Sequence, residues 1–219
     1  MMTKISENLK RIKKELPENV SLVAVSKTKS IDQIMEAYNA GQRIFGENKV
    51  QEMESKWNEL PKNIEWHMVG HVQRNKVKYM APFVALVHAV DSLRLLKEIN
   101  KEAIKNERTI NCLLQIKIAQ EESKYGMEEA DAVQLLNSEA FKVLKNIKIV
   151  GLMGMATFTS EKEIISSEFG MLQNLFETLA EKFNLTVLSM GMSGDFKLAI
   201  ENGSTMVRIG STIFGDREY

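Results

Sequence analysis

The sequence predicts a single α/β domain built as a (β/α)8 barrel of the TIM type with an extra N-terminal helix, and three observations carry that reading. Eight short apolar runs alternate strictly with amphipathic segments along the 219 residues, a pattern that implies right-handed crossovers and a parallel sheet. A doubly wound open sheet would usually carry a G-x-G-x-x-G turn after its first strand, and "SLVAVSKTKS" is followed by none. No Pro/Gly/Ser-rich linker or low-complexity tract breaks the alternation, so residues 1–219 read as one domain.

The opening segment "MMTKISENLKRIKKELPENV" sets Ile5, Leu9, Ile12 and Leu16 at helical spacing among charges. It is the extra helix, and it lacks the continuous apolar stretch of a signal peptide. "SLVAVSK" follows as the first strand, β-branched and apolar, with "SIDQIMEAYNAG" as its crossover helix. The pairs then run "RIFGE" with "NKVQEMESKWNEL", "EWHMVG" with "QRNKVKYM" and "LVHAVD" with "SLRLLKEINKEAIKN". Next come "INCLLQIKI" with "GMEEADAVQLLNSEAF", "IKIVGLMGM" with "EKEIISSEFGMLQNLFETLAEKF" and "LTVLSMG" with "DFKLAIENG", and "MVRIGS" is the eighth strand.

Charge excludes several classes of partner. Lys plus Arg number 29 against 29 Asp plus Glu, which provides no global field for nucleic acid or an anionic membrane. No stretch approaches the roughly 20 apolar residues of a membrane span. The single cysteine, Cys112, lies in an apolar run, reads as a small buried residue, excludes an intrachain disulfide and fits a reducing cytoplasm. His67 and His71 are four apart, but their segment reads as a strand running into a turn. With His88 and one cysteine offering no further cluster, no metal site is expected. The basic run "HVQRNKVKYM" reads as a solvated helix face.

Chemistry in such barrels sits at the carboxyl ends of the strands. Alternation puts Val23, Val25 and Lys27 on one face of the first strand, so a lysine continues an apolar wall at the barrel mouth. Lys27 either snorkels to solvent, as Lys29 is expected to do, or is desolvated so that its neutral amine can form a Schiff base. After strand seven, "SMGMSGD" brackets Ser193 with Gly191 and Gly194, and Ser193 or Asp195 can cap the next helix. Arg208 alternates with Val207 and Ile209 in a strand buried on both faces and needs a partner, a carboxylate or a ligand. Gly210 and Ser211 follow at once, where exposed N–H groups and helix N-termini can bind a phosphate. A ligand with both an aldehyde and a phosphate satisfies these features together, and pyridoxal 5'-phosphate is one.

In these residues and their order the sequence resembles the pyridoxal phosphate homeostasis proteins, also described as the YggS or proline synthase co-transcribed proteins. The likeness spans nearly the whole chain and rests on "VAVSKT", "FGENKVQE", "EWHMVGHVQRNK", "ESKYGM", "GLMGMAT", "MGMSGD" and "VRIGSTIFG", in order. It implies a monomeric barrel similar to the barrel domain of alanine racemase, with the cofactor as a Schiff base on Lys27. It implies further that Ser193, Gly210 and Ser211 contact the phosphate, that Arg208 lies near the pyridine nitrogen, and that Asn48 stands close to the cofactor. Lys49, where an aromatic is frequent, and Thr212, where alanine is frequent, depart from the family pattern without touching a binding residue.

Three functions compete: a protein that sequesters and supplies the cofactor to pyridoxal-phosphate-dependent apo-enzymes without substantial turnover, an amino-acid racemase, and a cofactor-free Schiff-base aldolase. The related racemase takes its opposing tyrosine from a carboxyl-terminal β domain, whereas this chain stops at Tyr219, nine residues past Gly210. An arginine beside the ring nitrogen can only donate, which leaves the pyridine unprotonated and a poorer electron sink. The carrier, with no catalytic residue, is therefore the expected function.

Overall fold

A computed structural model describes residues 3–121 and 125–215. Eight parallel strands close into a barrel in chain order: β1 (Ser21–Val25), β2 (Ile44–Glu47), β3 (Glu65–Met68), β4 (Leu86–Val90), β5 (Ile110–Gln115), β6 (Ile147–Met153), β7 (Val187–Ser189) and β8 (Met206–Ile209). β8 returns to β1 with Arg208 opposite Val23, so no edge strand is left exposed.

The helices follow the amphipathic segments. α1 (Lys4–Glu15) precedes the barrel, begins at a Thr3 cap and buries Ile5, Leu9 and Ile12. α2 (Ile31–Asn39) starts from a capping box between Ser30 and Gln33, and α3 (Val50–Glu59) follows β2. A 3-10 turn at Arg74–Lys76 leads into the single turn of α4 (Val77–Met80), and Ser92 caps α5 (Leu93–Lys105). α6 (Glu129–Asn137), α7 (Glu139–Lys142), α8 (Lys162–Phe183), α9 (Phe196–Glu201) and α10 (Ser211–Phe214) complete the set.

Two of these depart from the sequence reading. The helix expected over 126–141 divides at Ser138, whose extended backbone ends α6 while its hydroxyl accepts from Phe141 N and donates to Leu135 O. A serine that bonds its own neighbourhood competes with helix continuation. Ser211, read as the last residue of the eighth strand, instead opens α10, which runs to Phe214.

Strand alternation sorts the core into two layers. Phe45, Trp66, Met68 and Val207 point out to the helices, where Leu9, Met53, Leu96 and Phe169 meet them. Val23, Leu113, Met153 and Met206 fill the barrel interior. β6 and β7 approach closely at Gly151, where a Cβ would lie 1.7 Å from the carbonyl oxygen of Val187.

Candidate functional site

At the carboxyl ends of the strands lies a cavity of about 880 Å³, and Lys27, Asn48, Ser193, Arg208, Gly210 and Ser211 all line it. Lys27 occupies the turn just past β1 and is half-buried, with Val25 beneath it on the cavity wall. Lys29, expected in solvent, is also half-buried at the cavity; its Nζ donates to the carbonyls of Phe214 (3.4 Å) and Gly215 (3.1 Å), where α10 leaves acceptors open. Asn48 follows β2, and its backbone packs so tightly on Gly70 that a Cβ there would sit 2.5 Å from Asn48 O.

The opposite wall comes from the turns after β7 and β8. Asp195 is the N-cap of α9, but its carboxylate accepts from Met192 N at 2.5 Å instead of capping the helix, which correspondingly folds the Ser193–Gly194 turn back on itself. Gly210 N donates to Ser193 Oγ at 3.3 Å, joining the two turns. Because α9 has six residues and α10 four, the favourable field for an anion comes from their open N–H groups and hardly from a summed helix dipole.

Arg208 is 5% exposed and takes neutral partners instead of a carboxylate. Nη1 donates to Ser189 O (2.9 Å) and Ser189 Oγ (2.7 Å), and Nη2 to Gly154 O (3.0 Å). Burial lowers its pKa to about 10, with Asp195 pulling the other way, so the guanidinium remains charged at neutral pH.

A polar thread continues below it. Ser189 Oγ lies 3.2 Å from His88 Nδ1, and His88 Nε2 lies 3.0 Å from His67 Nδ1. The pairing of the two histidines was not foreseen: His67 pairs with Leu86 across β3 and β4, which brings His88 diagonally against it. Burial drives the pKa of His67 to about 3 and that of His88 well below its usual range, His67 and Arg208 adding to the latter. Among the described residues no group of three or more His, Cys, Asp or Glu could hold a metal. Cys112 is fully buried, and burial pushes its thiol pKa up.

Other lining residues were given no part in the site by the sequence. His71 stands on the cavity wall with Nδ1 3.3 Å from Asp91 Oδ2 and its ring stacked on Tyr125. Thr157 is held by the buried carboxylate of Glu168, which accepts from its N–H and its hydroxyl, both at 2.7 Å. Tyr125 and Thr157 belong to "ESKYGM" and "GLMGMAT", and the motifs were the signal that could have marked them; Glu122, Ser123 and Lys124 of the former lie outside the described residues.

A closed parallel barrel with its cavity at the strand ends defines the class, that of the alanine racemase N-terminal domain, whose family model matches residues 2–218. An alanine racemase from Clostridium difficile 630 shares this fold at TM-score 0.80 with 15% identity, covering 99% of this chain and 57% of its own. The chain belongs to the pyridoxal phosphate homeostasis protein family: it is 40% identical to the member from Vibrio alginolyticus over 100% of both chains. PipY of Synechococcus elongatus PCC7942, solved with pyridoxal phosphate bound, superposes at TM-score 0.88 and 34% identity, covering 96% of this chain and 100% of PipY.

Proposed function

We propose that this chain binds pyridoxal 5'-phosphate in the cavity at the barrel mouth, attached through Lys27, and sequesters and supplies it in the cytoplasm without substantial turnover. The observation that carries the reading is the meeting of Lys27, Arg208 and the Ser193–Gly194 and Gly210–Ser211 turns in one cavity. The name of the Vibrio alginolyticus relative and the ligand of PipY support the same conclusion.

When bound, the cofactor supplies an aldehyde that a neutral amine can capture and a ring that can withdraw electrons. The residues favour the first over the second. Lys27 approaches over the apolar surface of Val25, while Ser193, Gly210 and Ser211 offer hydroxyl and N–H donors to the phosphate. Asn48 stands on the wall between β2 and β3. Arg208, charged and without an acceptor, faces a ring nitrogen only as a donor, which keeps the ring a weak electron sink. The chain acts as a monomer, and apo-enzymes that need the cofactor are its recipients.

Borohydride reduction of the loaded protein followed by peptide mapping tests the attachment. The label is expected on Lys27 and lost in Lys27→Ala; a label on Lys29 or Lys197 overturns it. In deuterated water, L-amino acids should exchange their α-hydrogen only at trace rates. Exchange at roughly 1 per second or faster, abolished by Lys27→Ala, would make the chain a racemase-like enzyme instead.

A further inference from the structure

The residues on either side of Lys27 are both gripped by one helix. Lys56 of α3 donates its Nζ to Ser26 O at 2.8 Å, and Glu52, one turn earlier, accepts from Thr28 N at 2.5 Å. The two side chains also bond each other at 2.7 Å, so they act as a single bracket across the turn. Lys56 further meets Glu47 Oε1 at 2.8 Å, and the same oxygen accepts from Ser26 Oγ at 2.6 Å. Every proton of the Lys56 ammonium is thus directed at Ser26, Glu47 or Glu52.

This cluster is a poor device for stability alone. Lys56 is 6% exposed and Glu47 fully buried, and taking such charges out of water offsets most of their attraction. Glu47 Oε2 has no hydrogen-bond partner, a further unfavourable contribution. Thr28 is held at φ +65°, a conformation a β-branched residue seldom adopts. Strain and buried charge coincide at the turn that aims Lys27 into the cavity.

We propose that Glu52 and Lys56 are positioning residues for Lys27: α3 fixes the peptide units before and after it and so sets the direction in which the lysine amine meets an aldehyde in the cavity. The proposal rests on Lys27 as the attachment point. It assigns α3 a role apart from the phosphate end of the site, which β7 and β8 supply.

The test compares two probes on the full chain. Pyridoxal phosphate reports capture by the amine, and 4'-deoxypyridoxine 5'-phosphate, which lacks the aldehyde, reports binding of ring and phosphate alone. Glu52→Ala is expected to slow adduct formation about tenfold or more, the penalty of a misplaced reactive group, while the deoxy probe keeps its affinity within about twofold. Glu52→Gln, which retains the acceptor for Thr28 N, should restore the wild-type rate. If Glu52→Ala does not fold, Glu52→Asp keeps the charge but shortens the reach, and the same slowing is expected of it. Capture at the wild-type rate in the shortened or truncated variant overturns the proposal. So does a parallel loss for both probes, which would mark the cluster as merely structural. A wild-type label found away from Lys27 would overturn the attachment and this proposal together; a label on Lys27 with unchanged rates in the variants sinks the bracket alone.

Discussion

His67 and His88 are neutral residues in the middle of the barrel, and their burial makes the fold sensitive to acid. The unfolded chain protonates each near 6.5, whereas the folded chain holds His67 unprotonated down to about 3. Between those values the unfolded state binds more protons, so stability is complete above about 6.5 and falls as pH falls toward 3. The slope is at most about 1.4 kcal/mol per pH unit for each histidine. Urea midpoints measured from pH 7 to 4 should drop along this window, and His67→Asn, which keeps an acceptor against His88, should flatten the decline. Lys27 and Arg208 were visible in the sequence because each interrupts an apolar strand face in register. The histidine pair was not, since it depends on how β3 and β4 align, and neither was Lys56, which reads as one more solvated helix lysine until α3 is laid against the barrel.

At the scale of elements, the joint between β6 and β7 depends on a missing side chain. A Cβ at Gly151 would fall 1.7 Å from Val187 O and 2.9 Å from Val187 Cα, both backbone atoms that cannot rotate aside. Gly151→Ala should therefore separate the strands and destabilise the protein by about 3 kcal/mol or more, read as a lowered unfolding midpoint. The neighbouring β7–β8 joint has one registered pair, Ser189 with Met206. It is reinforced by Ser204 Oγ, which lies within 2.8 to 3.2 Å of the carbonyls of Leu188, Met190 and Met206, and by Arg208. The strands themselves were legible as β-branched runs of the right length. The division at Ser138 and the turn of α10 were not, because one hydroxyl bond and one short coil at a chain end leave no periodic trace.

At the scale of the molecule, the β7–β8 joint leads directly into the turns proposed to hold the phosphate, so a ligand there is expected to stabilise barrel closure. Pyridoxal phosphate at about 100 times its dissociation constant should add about 2.7 kcal/mol and raise the thermal midpoint by several degrees, since about 2–4 °C per kcal/mol is usual at this size. Gly210→Val, whose side chain would crowd Val25 from a Cβ 3.1 Å from its carbonyl oxygen, should reduce that shift far more for the phosphorylated cofactor than for pyridoxal. Equal reductions for both would remove Gly210 from the phosphate cradle. The order of strands followed from alternation, and the end of the barrel with the cavity from the general rule for such barrels; how few residues pair between β7 and β8 is a property of three-dimensional register.

The thread from Arg208 down the barrel axis also has a direction. A guanidinium gives hydrogens and takes none, so Ser189 Oγ receives one from Arg208 Nη1 and keeps its own hydrogen for an acceptor, for which His88 Nδ1 stands at 3.2 Å. With that nitrogen accepting, the His88 ring carries its hydrogen on Nε2 and offers it to His67 Nδ1, which leaves His67 with its hydrogen on Nε2 as well. Arg208, a charge that does not titrate near neutral pH, thus favours one tautomer of both imidazoles from the mouth of the barrel.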